Sequence, residues 1–321
     1  MFSTVVSLAH IAQGLCAPFA VPNDYSQEDW HARISALTLI TELLSFHISE
    51  FPFFQTSCND FSLLSPAEAV DLTHQFREFE LETPVRNLLL NDSEYQPLID
   101  YHNVLRGTTK SQDVVNMFRG VISVEKLAIS TCSLAITKYE LPLSVFTMFL
   151  DVIRDECLHL LALSRLIDVE PLFDGWIAEK RKPAWDQVLQ CQTSLEHVLL
   201  EHCLFEGEGS ISANYAVSLA KQLGFPDVAL SVIARIATEE MRHATVGYQM
   251  AGILARNDSE RHRAVERSLS LLRVIEPLED PTSIKGKKQQ FAESVIRGYA
   301  QDGDWMRATN LIVEESIRYA S

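Results

Sequence analysis

Glycine and proline are scarce in this chain, twelve of each in 321 residues, and they gather between long stretches free of both. Segments so poor in turn formers favour long helices, and strand-like alternation is nearly absent. Basic residues are also few: 27 Lys and Arg against 43 Asp and Glu leave a net charge of −16. Phosphate binding needs a basic surface, so this balance argues against nucleic acid as a partner. It suits solubility and a basic docking partner instead. The six cysteines (Cys16, Cys58, Cys132, Cys157, Cys191 and Cys203) are scattered and form no Cys-x-x-Cys. Zinc-cluster and thioredoxin-like readings therefore have no support, and reduced, mostly buried thiols in a cytoplasmic protein are expected. No Lys or Arg precedes Arg33, so the fairly apolar opening from Met1 to Ala20 lacks the positive region of a secretory signal. No run of residues is apolar and long enough to span a membrane.

Helical periodicity fills what remains. The pattern predicts helices over about 26–50, 65–82, 84–90 and 94–105, then four long segments at 112–138, 143–167, 185–223 and 227–256. A loop-rich stretch with Pro171, Gly175 and Pro183 separates the second segment from the third. Helices near 259–275, 289–300 and 304–319 close the chain, with Ile284-Lys285-Gly286-Lys287-Lys288 read as a solvated basic loop. These segments predict an all-α protein: accessory helices over 1–110, a four-helix bundle over 111–258, and further helices over 259–321.

Two strings stand out in the bundle region: Asp155-Glu156-Cys157-Leu158-His159 and Glu239-Glu240-Met241-Arg242-His243. Positions i and i+3 share a helix face, so each Glu and His can reach one point beside its helix. With 26 Glu and 10 His in 321 residues, roughly 0.8 such pairs arise by chance, so the spacing alone proves little. A third pair, Glu28 and His31, follows a loop-like run and reads as helix capping. The other two sit in mid-helix among apolar residues, where ionised carboxylates are costly without a compensating cation.

A di-metal site needs one more carboxylate from each preceding helix. Glu125 is the only acidic residue between Asp113 and Glu140, and its spacing to Glu156 fits an antiparallel hairpin. In the third segment Glu196, Glu201, Glu206 and Glu208 are available; Glu206 gives the closest match to the first hairpin, with Glu201 its main rival. Gly207 and Gly209 beside Glu208 suit a distorted turn with room for a small molecule. Glu206 and Ser210 are the candidates nearest the chemistry itself.

The pattern Glu125…Glu156-x-x-His159…Glu206…Glu240-x-x-His243 resembles the ferritin-like superfamily of non-haem di-iron carboxylate proteins. That superfamily includes multicomponent monooxygenases, the small subunit of ribonucleotide reductase, acyl-carrier-protein desaturases and arylamine N-oxygenases. The resemblance covers about 112–256 and implies two iron ions (manganese in one position as an option), held by those six residues, with dioxygen as co-substrate. It implies second-layer roles for Asp155, Glu239 and Arg242, the last matching the family's Asp-Glu-x-Arg-His form. The expected reaction is oxidation of a small biosynthetic intermediate, free or carrier-tethered, by hydroxylation, N-oxygenation or desaturation. No flavin, nicotinamide or cluster motif occurs, so an external electron donor such as a ferredoxin or flavin reductase is implied, and a homodimer is compatible. Two departures narrow the range: Leu163 stands where the reductase carries its radical tyrosine, and Ile236 stands where the N-oxygenases carry an extra histidine. Tyr248 and His202 are read as core residues. A non-catalytic metal-binding bundle is the alternative of a different class.

Overall fold

The computed structural model describes residues 110–167, 175–222 and 227–320. The helices expected over 1–110, together with Glu28, His31, Cys16 and Cys58, lie outside the described residues. Every regular element among the described residues is helical, as the composition predicts, and no described helix is long and apolar enough to cross a membrane. Contacts divide the described residues into two compact units, one spanning 118–186 and the other made of 110–117 and the residues from 187 onward.

The first unit contains most of α1 (Lys110–Lys138), all of α2 (Leu143–Ile167) and most of α3 (Gly175–Val188). The break at Leu141-Pro142 is where expected. Proline has no N–H to donate, but its carbonyl accepts the first bond of α2, from Phe146 N at 2.9 Å. Ile122, Ile129 and Cys132 of α1 and Phe149, Leu150 and Ile153 of α2 are fully buried; each large aliphatic or aromatic side chain so removed from water contributes about 1.5–3 kcal/mol. Two polar side chains in this core are satisfied locally: Ser130 Oγ donates to Lys126 O at 2.8 Å and Thr131 Oγ1 to Leu127 O at 3.0 Å. Arg181 Nε donates to Ser123 Oγ at 2.8 Å and ties α3 to α1.

Two boundaries differ from the sequence reading. The stretch read as loop up to residue 184 is helical from Gly175, and α3 carries Pro183 inside it. The third long segment then begins at Ser194 rather than 185. The amides of Gln190 and Cys191 fold back onto Gln187 O and Val188 O, at 3.0 and 3.1 Å, which closes α3. Thr193 opens the next helix by accepting from Glu196 N at 3.1 Å, while Glu196 Oε2 accepts from Gln192 N at 2.7 Å. Glu196, one of the four carboxylates weighed as a ligand, is thus a capping residue.

The second unit is built on α4, which starts as a single α-helical turn (Ser194–Val198), passes through a π-helical stretch (Leu199–Phe205) and continues α-helically over Glu206–Gln222. Then come α5 (Asp227–Leu254), α6 (Asp258–Ile275), α7 (Ile284–Asp302) and α8 (Trp305–Ala320). Helix α5 packs against α4 and α8, α8 also lies on α4, and α6 and α7 pack on each other and against the π-helical stretch. Asn257 caps α6 by accepting from Glu260 N at 2.9 Å, and Ser283 caps α7 by accepting from Gly286 N at 3.0 Å. The basic string 284–288 is therefore the first turn of α7, not a solvated loop. Its Lys288 is buried and donates to Ser212 Oγ of α4 at 2.6 Å. Gly303 ends α7 at φ +71°, and buried Arg261 secures that end by donating from Nε to Ala300 O at 3.0 Å, its guanidinium lying over the Tyr299 ring. Cys132, Cys191 and Cys203 are buried, as expected.

Candidate metal centre

In the first unit α1 supplies Glu125, and α2 supplies Glu156 and His159 one turn apart. His159 Nδ1 stands 3.3 Å from Glu156 Oε2 and 3.5 Å from Glu125 Oε2. All three residues are at most 1% exposed, and each offers a ligand atom within 4.8 Å of the others. Two carboxylates and an imidazole nitrogen thus converge on one point that water hardly reaches. Carboxylates crowded in this way repel each other and lose hydration, and a cation at their centre offsets both costs.

The second unit repeats the arrangement. Glu206 of α4 and Glu240 and His243 of α5 are buried, with one ligand atom each inside the same 4.8 Å limit. Their meeting follows from the antiparallel register of the two helices. The Gly247 backbone lies against His202, and seven residues further along α4 the Cβ position of Gly209 lies against Glu240, seven residues back along α5. That register carries Glu206 to the level of His243. Glu201 is buried as well but is not among the converging donors. A Cβ at Gly209 would stand 3.9 Å from both Glu206 Oε2 and Glu240 Oε2, so this glycine leaves room beside two carboxylates. The backbone distortion expected around Gly207 and Gly209 lies just before them, in the stretch that ends at Glu206.

Both acidic residues that precede a ligand-type Glu hold an arginine. Asp155 Oδ1 accepts from Arg154 Nε at 3.1 Å and Nη2 at 2.8 Å, and Arg154 also pairs with Asp151 at 2.6 Å. Glu239 Oε1 accepts from Arg235 Nε at 2.5 Å. Sequence reasoning assigned supporting roles to Asp155 and Glu239 but missed Arg154 and Arg235. The i,i+4 spacing of Arg235 to Glu239 and the i,i+3 spacing of Asp151 to Arg154 were the available signals. Arg242 is half-buried. Ser210 is fully buried, its hydroxyl 3.1 Å from both Gly207 O and Ser316 Oγ, which makes it a link between α4 and α8.

Around the triads the core is apolar. Leu163 and Ile236 are buried. Tyr248 is fully buried, edge-on to Tyr299 with ring centroids 5.8 Å apart, and burial holds its phenol well above the ordinary range. Burial likewise pushes the Cys203 thiol up. His202 is buried in the π-helical stretch, as is His197 just before it. On another face of α4, burial and then the nearby Glu276 carboxylate push Glu208 up to about 8, against the pull of Lys288, Lys285 and Arg273. Burial in turn holds the Lys288 ammonium below its ordinary value.

The described chain is thus all-helical and holds buried Glu/His clusters that resemble a metal site. Carboxylate oxygens with one imidazole nitrogen per cluster make a donor set suited to iron or manganese. Compared with protein-family models, curated proteins and solved structures, the chain gives no significant match.

Proposed function

We propose that the two triads together hold two iron ions, and that the protein is a dioxygen-activating non-haem di-iron oxygenase acting on a small organic substrate. The observation that carries this reading is the recurrence, once per unit, of a buried Glu/Glu/His cluster with identical Glu-x-x-His spacing. Glu125, Glu156, His159, Glu206, Glu240 and His243 would hold the metals. Four carboxylates balance the charge of two divalent ions, which suits a buried setting. When bound, the irons supply dioxygen activation, with electrons from an external donor such as a ferredoxin or flavin reductase.

The chain's own residues contribute binding, orientation and exclusion of water. The Nδ1 atom of His159 faces its carboxylate neighbours, so Nδ1 is the nitrogen that would bind the metal. Arg154 and Arg235 neutralise Asp155 and Glu239, which keeps these inner carboxylates from adding further negative charge to the ligand cluster. Gly209 leaves space beside Glu206 and Glu240 for a small molecule. The aliphatic Ile236 favours oxidation at carbon over the amine oxygenation of family members with an extra histidine there.

Anaerobic loading with Fe2+ followed by Mössbauer spectroscopy tests the centre. Two irons per chain, with oxygen consumption that rises on adding reductant and substrate, is the expected result. Two irons without substrate-dependent oxygen use would move the reading to storage or sensing. Absence of any bound metal would defeat it.

A further inference from the structure

The π-helical stretch ends where Glu206 begins, and the Glu206 amide bonds to Glu201 O, five residues back rather than four. Such a stretch carries one extra residue per turn and rotates everything after it relative to what precedes. It is also less favourable than regular helix, so its persistence needs a cause in the packing. That cause lies on α5. A Cβ at Gly247 would fall 2.5 Å from His202 Cβ, 2.9 Å from His202 C and 3.2 Å from His202 O. Two of these three atoms are backbone, so no rotamer change relieves the overlap. The widened turn of α4 bulges into the space that a side chain at 247 would fill. Gly247 stands one turn beyond His243, and His202 one turn before Glu206, so the contact lies directly beside the second triad.

We propose that Gly247 is a positioning residue for that triad: by admitting the widened turn at His202, it fixes the rotation that presents Glu206 alongside Glu240 and His243. The metal half of this statement rests on the di-iron reading; the backbone half does not.

Three variants test it, with Co2+ alone as the probe of the site through its visible absorption. Gly247→Ala has a weaker and altered Co2+ spectrum, with affinity lowered roughly 10- to 100-fold, as for other residues that orient ligands. Gly252→Ala is the packing control. Its Cβ would meet the Trp305 ring at 2.7 Å, so it loses thermal stability but keeps the wild-type spectrum. In Gly247→Ala/His202→Gly the closest clash is gone, and Co2+ binding recovers toward wild type. A Gly247→Ala protein with wild-type spectrum and affinity overturns the proposal. So does an equal spectral loss in Gly252→Ala, or a double variant no better than Gly247→Ala, whether unfolded or merely unloaded. Amide hydrogen exchange separates the two readings. If wild type takes up no Co2+, the di-iron reading fails by itself. Gly247 is then judged in the metal-free protein: faster exchange of the Glu206 amide in Gly247→Ala supports its role in holding the turn, and unchanged exchange refutes it.

Discussion

At the scale of single residues, Glu206 and Glu201 pose the sharpest question, because both are buried on α4 and five positions separate them. Only Glu206 converges with Glu240 and His243. Glu206→Ala therefore loses at least one of the two metal equivalents, whereas Glu201→Ala keeps both; metal analysis after gel filtration decides between them, and the reverse pattern would reassign the ligand. Tyr248 gives a prediction of opposite character. Its hydroxyl is fully buried and makes no hydrogen bond among the described residues. An unsatisfied buried hydroxyl is a cost, so Tyr248→Phe raises stability by about 0.5–1 kcal/mol. Urea denaturation at constant m-value measures this, and a loss of similar size would mean that the hydroxyl is satisfied after all.

At the scale of elements, most of the described helices were legible in the sequence and some features were not. The starts and ends of α1, α2 and α5 follow from long apolar periodicity cut by Pro142, Gly224-Phe225-Pro226 and Asn257. Glu125 was legible because it is the only acid between Asp113 and Glu140, in the apolar middle of a long helix. The extension of α3 back to Gly175 was hidden because Gly175 and Pro183 are turn formers, and a helix that tolerates them is held by tertiary contacts such as Arg181 to Ser123. The widened turn of α4 was hidden for a different reason. A search at a fixed period averages over one extra residue, and the contact that stabilises the turn comes from Gly247, some forty-five positions away. Lys288 was misread because a run of lysines looks solvated until a cap at Ser283 starts a helix and turns one of them inward.

That inward lysine couples α7 to α4 and gives α4 a dependence on pH. Glu208 has a folded-state value of about 8 against an ordinary 4.5. The folded protein therefore binds a proton that the unfolded chain releases, and stability falls as pH rises from 4.5 through 8. Lys288, lowered when folded, acts in the other sense: its contribution is lost as pH falls below its ordinary value through its lowered one. Glu208→Gln removes the first effect. Its melting temperature matches wild type below pH 4.5 and exceeds it by a margin that grows up to about pH 8 and levels off above it. Thermal melts across that range provide the check, and a margin that shrinks with pH would contradict the assignment.

At the scale of the whole molecule, ligand linkage applies to any metal that binds only the folded chain. Free metal at a hundredfold excess over its dissociation constant adds about 2.7 kcal/mol. In a chain of this length that raises the melting temperature by roughly 5 °C. Melts with Fe2+ or Mn2+, then with added chelator, read the rise and its reversal; zero shift with both metals would count against the centre. The net charge of −16 bears on association rather than on this shift. An electron donor attracted by the acidic surface should bind more slowly as salt increases.

The triad of donors within each unit is also compact along the chain: one is encoded between residues 125 and 159, the other between 206 and 243. No donor of one is interleaved with those of the other. The residues 189–193 that join α3 to α4 lie between the two coding blocks. A cut there would leave each triad whole on one fragment, yet it would divide the second unit, which also takes in residues 110–117.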